Sequence, residues 1–237
     1  VIYGEWFILA VFLFTACLCA LFGLLLRQIK AKSDIFYMRE GFVTTALSWI
    51  VISVMGAVPF VISGAIPDPI EALFETVSGF TTTGASILAE VEDLPKGILF
   101  WRSFTHWIGG MGVLVFLLTL LPLTGASHIN LMKAERPGPQ VEKLVPKVQS
   151  TAKILYGIYF TLTTVQVILL LAGGMPFFDA LLTSFGTAGT GGFGIKNDSM
   201  ASYSPYIQVV VTVSMILFGV NFSAYFYLIR GKFRQVL

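Results

Sequence analysis

The stretch Ser78 to Ser86, which reads SGFTTTGAS, places three threonines and a glycine in an otherwise apolar chain. A second stretch of this kind, FGTAGTGGFG, runs from Phe185 to Gly194. Each follows a short amphipathic segment that opens with a proline close to an acidic residue, as at a helix N-terminus. Segments of about 10 to 12 residues are too short to cross a bilayer, which takes roughly 20. The sequence therefore predicts two short helices that enter the membrane and turn back in Thr/Gly loops.

The two stretches belong to an internal repeat. When Glu71-Ala72-Leu73 is aligned with Asp179-Ala180-Leu181, the offset is 108 residues. The loops then match without a gap, in the pairs Thr82 with Thr190, Thr83 with Gly191, and Gly84 with Gly192. The flanking apolar spans are read in register at the same offset. A unit of span, short helix, loop and span is therefore predicted to occur twice.

The composition indicates a membrane protein. Of the 237 residues, 56 % are hydrophobic and 12 % are charged, and the mean hydropathy is +0.83, whereas soluble domains carry about 25 % charged residues. Apolar runs predict five spans, at 3–26, 42–66, 98–122, 154–174 and 206–229. The first is interpreted as a true span because it is long and lacks the basic start of a signal peptide. The predicted fold class is an all-α polytopic membrane protein with five transmembrane helices and two pore helices.

Charged residues segregate between the two ends of the spans. Basic residues concentrate after span one, between spans three and four, and after span five, which makes that side cytoplasmic by the positive-inside rule. The opposite side holds two lysines, Lys96 and Lys196, and nine acidic residues. We expect this outer face to attract cations. The alternative is that solvated loops simply carry charge.

The Thr/Gly loops are candidates for an ion path. A short helix that stops within the membrane directs its negative C-terminal end at the membrane centre, which favours a cation there. A non-helical return is tolerated at that depth where it lines a cavity. The sequence therefore predicts a selectivity filter whose backbone carbonyls replace the hydration shell of K⁺, with the ion-binding residues Thr82, Thr83, Gly84, Thr190, Gly191 and Gly192. The alternative is that both loops are glycine-rich turns or packing surfaces.

Arg102 is the candidate for a residue that supports the pore. It lies within span three, where an ionisable side chain is a functional hypothesis by default. It can reach the interface, or it can pair with Glu75 or with Asp198 behind the filter. We expect an ion pair that braces the short helix.

Other features near the loops receive weaker assignments. The run WIGGMG, from Trp107 to Gly112, predicts either close helix packing or room for the filter loop. His106 and His128 lack partners at the spacing of a metal site, and we assign them no chemistry. Lys196 follows the second loop directly, and we expect it to turn away from a cation path.

Five motifs carry a resemblance to a known family: ALFETVSGFTTTGAS, ILFWRSFTHWIGGMGVLVF, LMKAERPGP, SFGTAGTGGFGIKNDSM and NFSAYFYL. From about residue 32 onward, the chain resembles the Trk/Ktr/HKT superfamily of potassium transporters, in particular bacterial membrane subunits of the TrkH/KtrB type. The resemblance implies four repeats around one pore, each with one filter glycine, here Gly84 and Gly192. Members with serine at the first of these positions tend to favour sodium, so Gly84 implies potassium.

The resemblance also implies how the chain is organised. Residues 1–32 are an extra N-terminal transmembrane helix, 33–125 are pore repeat one, 126–153 are a cytoplasmic basic loop, and 154–237 are pore repeat two. Two repeats cannot enclose a fourfold pore alone. Either the chain is a fragment, which we expect and which its start at Val1 also favours, or two copies complete one pore.

The predicted function is potassium uptake across the cell inner (plasma) membrane, as the ion-translocating subunit of a Trk/Ktr-type system. The expected partners are membrane lipid, a second copy in a homodimer, and a cytoplasmic nucleotide-binding regulatory subunit similar to TrkA or KtrA; no nucleic acid and no organic cofactor are expected. The alternatives are a Na⁺ or non-selective cation transporter of the same fold, and a non-conducting membrane scaffold. An enzyme is not expected, because the spans lack converging nucleophiles, acids and metal ligands.

Overall fold

A computed structural model of the protein describes residues 3–29, 38–112, 141–220 and 222–229, and all regular structure in these ranges is helical. The predicted all-α fold class is confirmed. The helices are α1 (Trp6–Arg27), α2 (Met38–Ser63), α3 (Pro69–Phe80), α4 (Lys96–Gly110), α5 (Val141–Ala172), α6 (Phe177–Ala188), α7 (Pro205–Gly219) and α8 (Phe222–Ile229). His128 and residues 126–140 of the predicted basic loop lie outside the described residues, and residues 141–153 of that loop are helical, because they form the start of α5.

Three helices of the described residues are long and apolar enough to cross a bilayer. They contain the segments Trp6–Arg27, Ala46–Ser63 and Lys153–Ala172. These segments belong to α1, α2 and α5, and they correspond to predicted spans one, two and four. Their side chains face outward to a large extent, since at most 28 % of the residues in each segment are buried within the protein. Such exposure of apolar residues suits helices that face lipid.

The two short helices agree with the predicted re-entrant segments. Both α3 and α6 contain 12 residues, and their bounds differ by 108 residues, the offset of the sequence repeat. Asp68 caps α3, because its carboxylate accepts from the amides of Ile70 and Glu71 at 2.7 and 3.1 Å. Pro69 follows at the first helical position, where it lacks only an amide that the helix would leave unused.

The predicted fifth span, 206–229, is wrong as a single helix. α7 ends at Gly219, Val220 has an extended backbone (φ −67°, ψ 140°), and α8 begins at Phe222. In the first repeat α4 also has 15 residues and ends at a glycine, Gly110, and the rest of predicted span three lies beyond the described residues from 113 onward. Glycine is a poor helix former, and both of these helices end at one.

The common offset predicted for the flanking spans is also corrected. The first residues of α4 and α7 are Lys96 and Pro205, an offset of 109 residues. The additional residue lies between the loop glycine and the following helix, in a connecting segment that has no regular structure. Insertions are tolerated at such places because loops carry few packing constraints.

Helix packing brings the two repeats together at their short helices. α3 packs between α2 and α4, α6 packs between α5 and α7, and α4 also packs against α6. A buried cluster joins the repeats, formed by Val91, Leu99, Leu182 and Ile195. α1 is attached to repeat one through Glu5, whose carboxylate accepts from the first two amides of α4 at 2.8 and 2.9 Å.

The cap on α3 gives a stability prediction. We expect Asp68→Ala to lower the free energy of unfolding by about 1 kcal/mol, since two amides of the first turn lose their acceptor. The measurement is denaturation of the purified protein in detergent. Asp93→Ala is the matched control, because Asp93 is an exposed loop acid outside any helix. An equal loss in both variants would contradict the capping role.

Candidate functional site

The two Thr/Gly loops have the same backbone conformation. Thr82 and Gly84 have φ angles of +55° and +77°, and their repeat partners Thr190 and Gly192 have +57° and +80°. A threonine in the left-handed region is uncommon and costs free energy, since its side chain is branched at Cβ. The same costly conformation occurs at matched positions in both repeats, which indicates that the backbone shape of these loops serves a function.

The amide groups of the loops turn back to their short helices. The amides of Thr82 and Thr190 donate to carbonyl oxygens in the last turn of α3 and α6, at 3.1 and 2.8 Å. The amides of Thr83 and Gly192 donate to Ser78 and Gly186 in the same two helices, at 2.9 and 3.1 Å. Two of the three amides in each loop are therefore bonded to the preceding short helix.

The carbonyl groups of the loops behave differently. Within the part of the chain that the structure describes, no protein donor bonds a carbonyl oxygen of the six predicted ion-binding residues, Thr82, Thr83, Gly84, Thr190, Gly191 and Gly192. Backbone carbonyls in proteins generally have a partner. Three consecutive carbonyls on each loop therefore have no donor in the described part of the chain and are available to ligands or solvent.

The loops of the two repeats also touch each other. A Cβ atom on Gly84 would overlap the carbonyl oxygen of Gly191 and lie 2.7 Å from its carbonyl carbon. A Cβ atom on Gly191 would lie 2.7 Å from the carbonyl oxygen of Thr82. Thr83, Thr190 and Gly192 are exposed, so the paired loops form one open surface rather than a packed interior.

The glycines of α4 serve both interpretations of the WIGGMG run. A Cβ atom on Gly109 would overlap the carbonyl oxygen of Phe80, at the end of α3, and lie 3.0 Å from Cγ2 of Thr82. A Cβ atom on Gly110 would lie 3.1 Å from the carbonyl oxygen of Ala188, at the end of α6. Both interpretations therefore hold. The glycines let α4 pack closely, and the groups that it packs against are the ends of the two short helices from which the loops begin.

Arg102 forms an ion pair behind the loops. Its Nε lies 2.6 Å from Oε1 of Glu75, and both side chains are almost fully buried. The Glu75 carboxylate also accepts from the Ser86 hydroxyl and the Ile87 amide, each at 2.9 Å. The second arm of Arg102 donates to the carbonyl oxygen of Gly194 at 2.8 Å. One buried pair thus links α3, α4 and the segments that leave both loops.

Asp198, the alternative partner predicted for Arg102, does not take part in this ion pair. Asp198 is exposed, and its carboxylate accepts from the Ser202 hydroxyl at 3.4 Å. Lys196 has turned away from the loop surface, as expected. Its ammonium group donates to Ser202 at 3.0 Å and lies 4.3 Å from the ring centroid of Tyr203.

Acidic residues from both repeats surround the segments that follow the loops. Burial raises the pKa of Tyr203 to about 12, and the carboxylates of Asp179, Asp198 and Glu92 add to the rise. The segments are also bonded to each other, because Asn197 accepts from the Val91 amide at 2.8 Å. The result is one acidic rim shared by the two repeats.

His106 and Phe193 lie at the site, although neither was assigned a role from the sequence. His106 is fully buried against Gly189 and Gly191 of the second loop, and its ring centroid lies 4.0 Å from that of Phe193. A signal for His106 was present in the sequence. It follows Arg102 by four residues, and residues at that spacing share one face of a helix.

Comparisons with known proteins find similar chains and a similar fold. The TrkH potassium uptake protein of the Trk system in Salmonella typhimurium is 39 % identical over 201 residues, which are 84 % of this chain and 42 % of that protein. An uncharacterized cation transporter of Methanocaldococcus jannaschii is 34 % identical over 223 residues, covering 94 % and 46 %. The crystal structure of the potassium transporter TrkH from Vibrio parahaemolyticus superposes with a TM-score of 0.73 at 31 % identity, over 92 % of this chain and 44 % of that one.

The chain therefore spans less than half the length of the relatives it matches. It is an integral membrane protein, as its apolar helices and its transporter relatives show. The family model described as TrkH, cation transport protein, matches residues 8–236. The chain belongs to the TrkH family of cation transport proteins, which are transporters and not enzymes.

Proposed function

We propose that the protein takes up potassium across the cell membrane through a filter to which the two Thr/Gly loops contribute. The observation that carries the proposal is the set of six loop carbonyls with no donor among the described residues, on two loops that share one backbone shape and touch each other. Backbone carbonyls are the ligands with which potassium filters replace water around the ion. The ion-binding residues are Thr82, Thr83, Gly84, Thr190, Gly191 and Gly192.

Electrostatics favours a cation at this surface. α3 and α6 both end at the loops, so the negative ends of two helix dipoles are directed toward the bound ion. The acidic rim raises the local concentration of cations at the entrance. Arg102 does not oppose this, because its charge is neutralised by Glu75. The ion pair supports the pore from behind the loops.

Potassium is the favoured ion for two reasons. Gly84 stands where a serine tends to accompany sodium preference in the superfamily that the sequence resembles. Relatives in Salmonella typhimurium and Escherichia coli, 39 % and 38 % identical, are named as potassium uptake proteins of the Trk system. A Na⁺ or non-selective cation transporter of the same fold is the alternative, and the experiment below distinguishes it.

The rest of the proposal concerns the assembly. The predicted organisation places an extra helix in 1–32, repeat one in 33–125, a basic loop in 126–153 and repeat two in 154–237. The basic loop faces the cytoplasm and receives a nucleotide-binding regulatory subunit similar to TrkA or KtrA, since a Trk system is named in the relatives. The remaining carbonyls around the ion come from further repeats of the protein or from a second copy in a homodimer.

Complementation tests this function. The gene is expressed in a bacterial strain without its own potassium uptake systems, and we expect growth at low external K⁺ to be restored. Purified protein in liposomes, with its regulatory subunit where flux requires it, should take up radioactive rubidium faster than radioactive sodium. Equal uptake of both ions would favour the non-selective alternative. Membrane insertion without any flux would favour a scaffold and contradict the proposal.

A further inference from the structure

Phe193, the residue that directly follows Gly192, packs between two side chains of the other repeat. The guanidinium carbon of Arg102 lies 3.8 Å from the centre of the Phe193 ring. The imidazole of His106 meets the same ring edge-on, with 4.0 Å between ring centroids and 63° between ring planes. Arg102 and His106 are one helical turn apart on α4, so α4 holds the aromatic ring between two successive side chains.

This packing is buried. Phe193, Arg102 and His106 are 3 %, 3 % and 0 % exposed. The backbone of Phe193 is also fixed, because a Cβ atom on Gly186 of α6 would lie 2.5 Å from its carbonyl oxygen. Side chain and backbone of Phe193 are therefore held by different repeats. A shift of α4 relative to α6 must move the second loop.

His106 also contacts the loop itself. A Cβ atom on Gly191 would overlap Nε2 of His106 and lie 2.7 Å from the carbonyl oxygen of Thr82. The imidazole edge thus contacts Gly191 on the side where a Cβ atom would be, while the carbonyl oxygen of Gly191 contacts Gly84. Neither ring nitrogen bonds a protein group among the described residues. Burial of an unpaired imidazole costs free energy, so the stability of the fold does not account for a histidine here.

We propose that His106 is a positioning residue that determines ion selectivity. With Arg102 it clamps Phe193, and its ring edge fixes the Cα atom of Gly191, so that the carbonyls of the second loop keep their distance from those of the first. Carbonyl ligands discriminate between K⁺ and Na⁺ through the size of the cavity or the number of oxygens around the ion, and a displaced second loop changes both. The inference rests on the proposed function, since it concerns the same filter.

The test is a double-mutant cycle on His106 and Phe193, with the ratio of initial rubidium to sodium uptake as the readout. We expect His106→Leu and Phe193→Leu each to lower this ratio roughly three- to tenfold, the effect of losing one aromatic contact. The double variant should be no worse than the more severe single variant, because both changes open the same clamp. Ser103→Ala is the matched control, since Ser103 is buried on α4 but outside the clamp.

Each outcome decides the matter. If His106→Leu does not accumulate in the membrane, His106→Gln, which also lacks the ring, replaces it in the cycle. Unchanged ratios in the single variants, or losses that simply add in the double variant, would overturn the clamp. If the unaltered protein itself shows no preference for rubidium over sodium, the proposed function fails first, and the two failures are thereby distinguished.

Discussion

Gly84→Ser is expected to lower the preference for K⁺ over Na⁺ by roughly tenfold or more. Two costs combine at this position. The left-handed backbone, with φ at +77°, costs a residue with a side chain about 1 to 2 kcal/mol, so the loop is driven to relax away from this shape. A resulting change of about 1.4 kcal/mol in the difference between K⁺ and Na⁺ binding is a factor of ten in preference. In addition, the new Cβ atom would overlap the carbonyl oxygen of Gly191, so this loop carbonyl has to move.

Gly192→Ser is the matched comparison, because Gly192 is the repeat partner of Gly84. Its φ angle of +80° carries the same backbone cost. However, a Cβ atom on Gly192 would meet a single neighbour, the methyl group of Met215 at 3.6 Å, which is ordinary contact. The structure therefore predicts a smaller loss of selectivity than for Gly84→Ser, whereas the sequence repeat predicts equal effects.

The measurement is the ratio of rubidium to sodium uptake at equal amounts of protein in the membrane. A larger effect of Gly84→Ser than of Gly192→Ser supports the loop contact across the repeats. If Gly192→Ser were the more damaging change, the close approach of Gly84 and Gly191 would not govern selectivity. If neither change altered the ratio, the loops would not be the filter.

The short helices and their loops were predictable from sequence because their signals are local. A proline and an acid mark the start of each helix, and a Thr/Gly run marks its end. The repeat strengthened both predictions, since one pattern at a fixed offset is harder to produce by chance than a single motif. The structure accordingly contains two 12-residue helices whose bounds differ by 108 residues.

The broken fifth span shows what hydropathy does not report. Residues 206–229 form one predominantly apolar run. The mean hydropathy of such a window does not indicate where the helix is interrupted. The break at Val220 depends on the glycine before it, a signal of about 1 kcal/mol that tertiary packing can reinforce or override. α4 ends at Gly110 in the same way, and a comparison of the two repeats could have predicted both helix ends.

The partner of Arg102 required the folded structure. Glu75 and Asp198 are both acids close to a loop in sequence, and nothing in the spacing decides between them. Glu75 lies on the buried face of α3, toward α4, whereas Asp198 lies in an exposed turn. The contact between Phe193 and His106 is of the same kind, because it joins two repeats whose relative placement is a property of the fold.

Arg102→Met is expected to have the second large effect. The substitution leaves the buried Glu75 carboxylate without its counter-charge, which typically costs about 3 to 5 kcal/mol. It also removes the donor to Gly194 and the cation over Phe193. We expect much less protein in the membrane, measured by fluorescence size-exclusion chromatography of a tagged protein, and lower selectivity in the fraction that remains.

The double variant Glu75→Gln/Arg102→Met separates charge from packing. The glutamine amide oxygen can accept from the Ile87 amide while its NH2 group donates to the Ser86 hydroxyl oxygen, and no unpaired charge is left behind. Because buried ion pairs can be replaced by neutral groups at little cost in stability, we expect the amount of protein to recover. Selectivity should stay low, since the contacts of Arg102 with Gly194 and Phe193 are still missing. Asp198→Asn, at the exposed acid, should change neither quantity. If the double variant accumulated no better than Arg102→Met, the loss would stem from the missing guanidinium contacts and not from an uncompensated charge on Glu75.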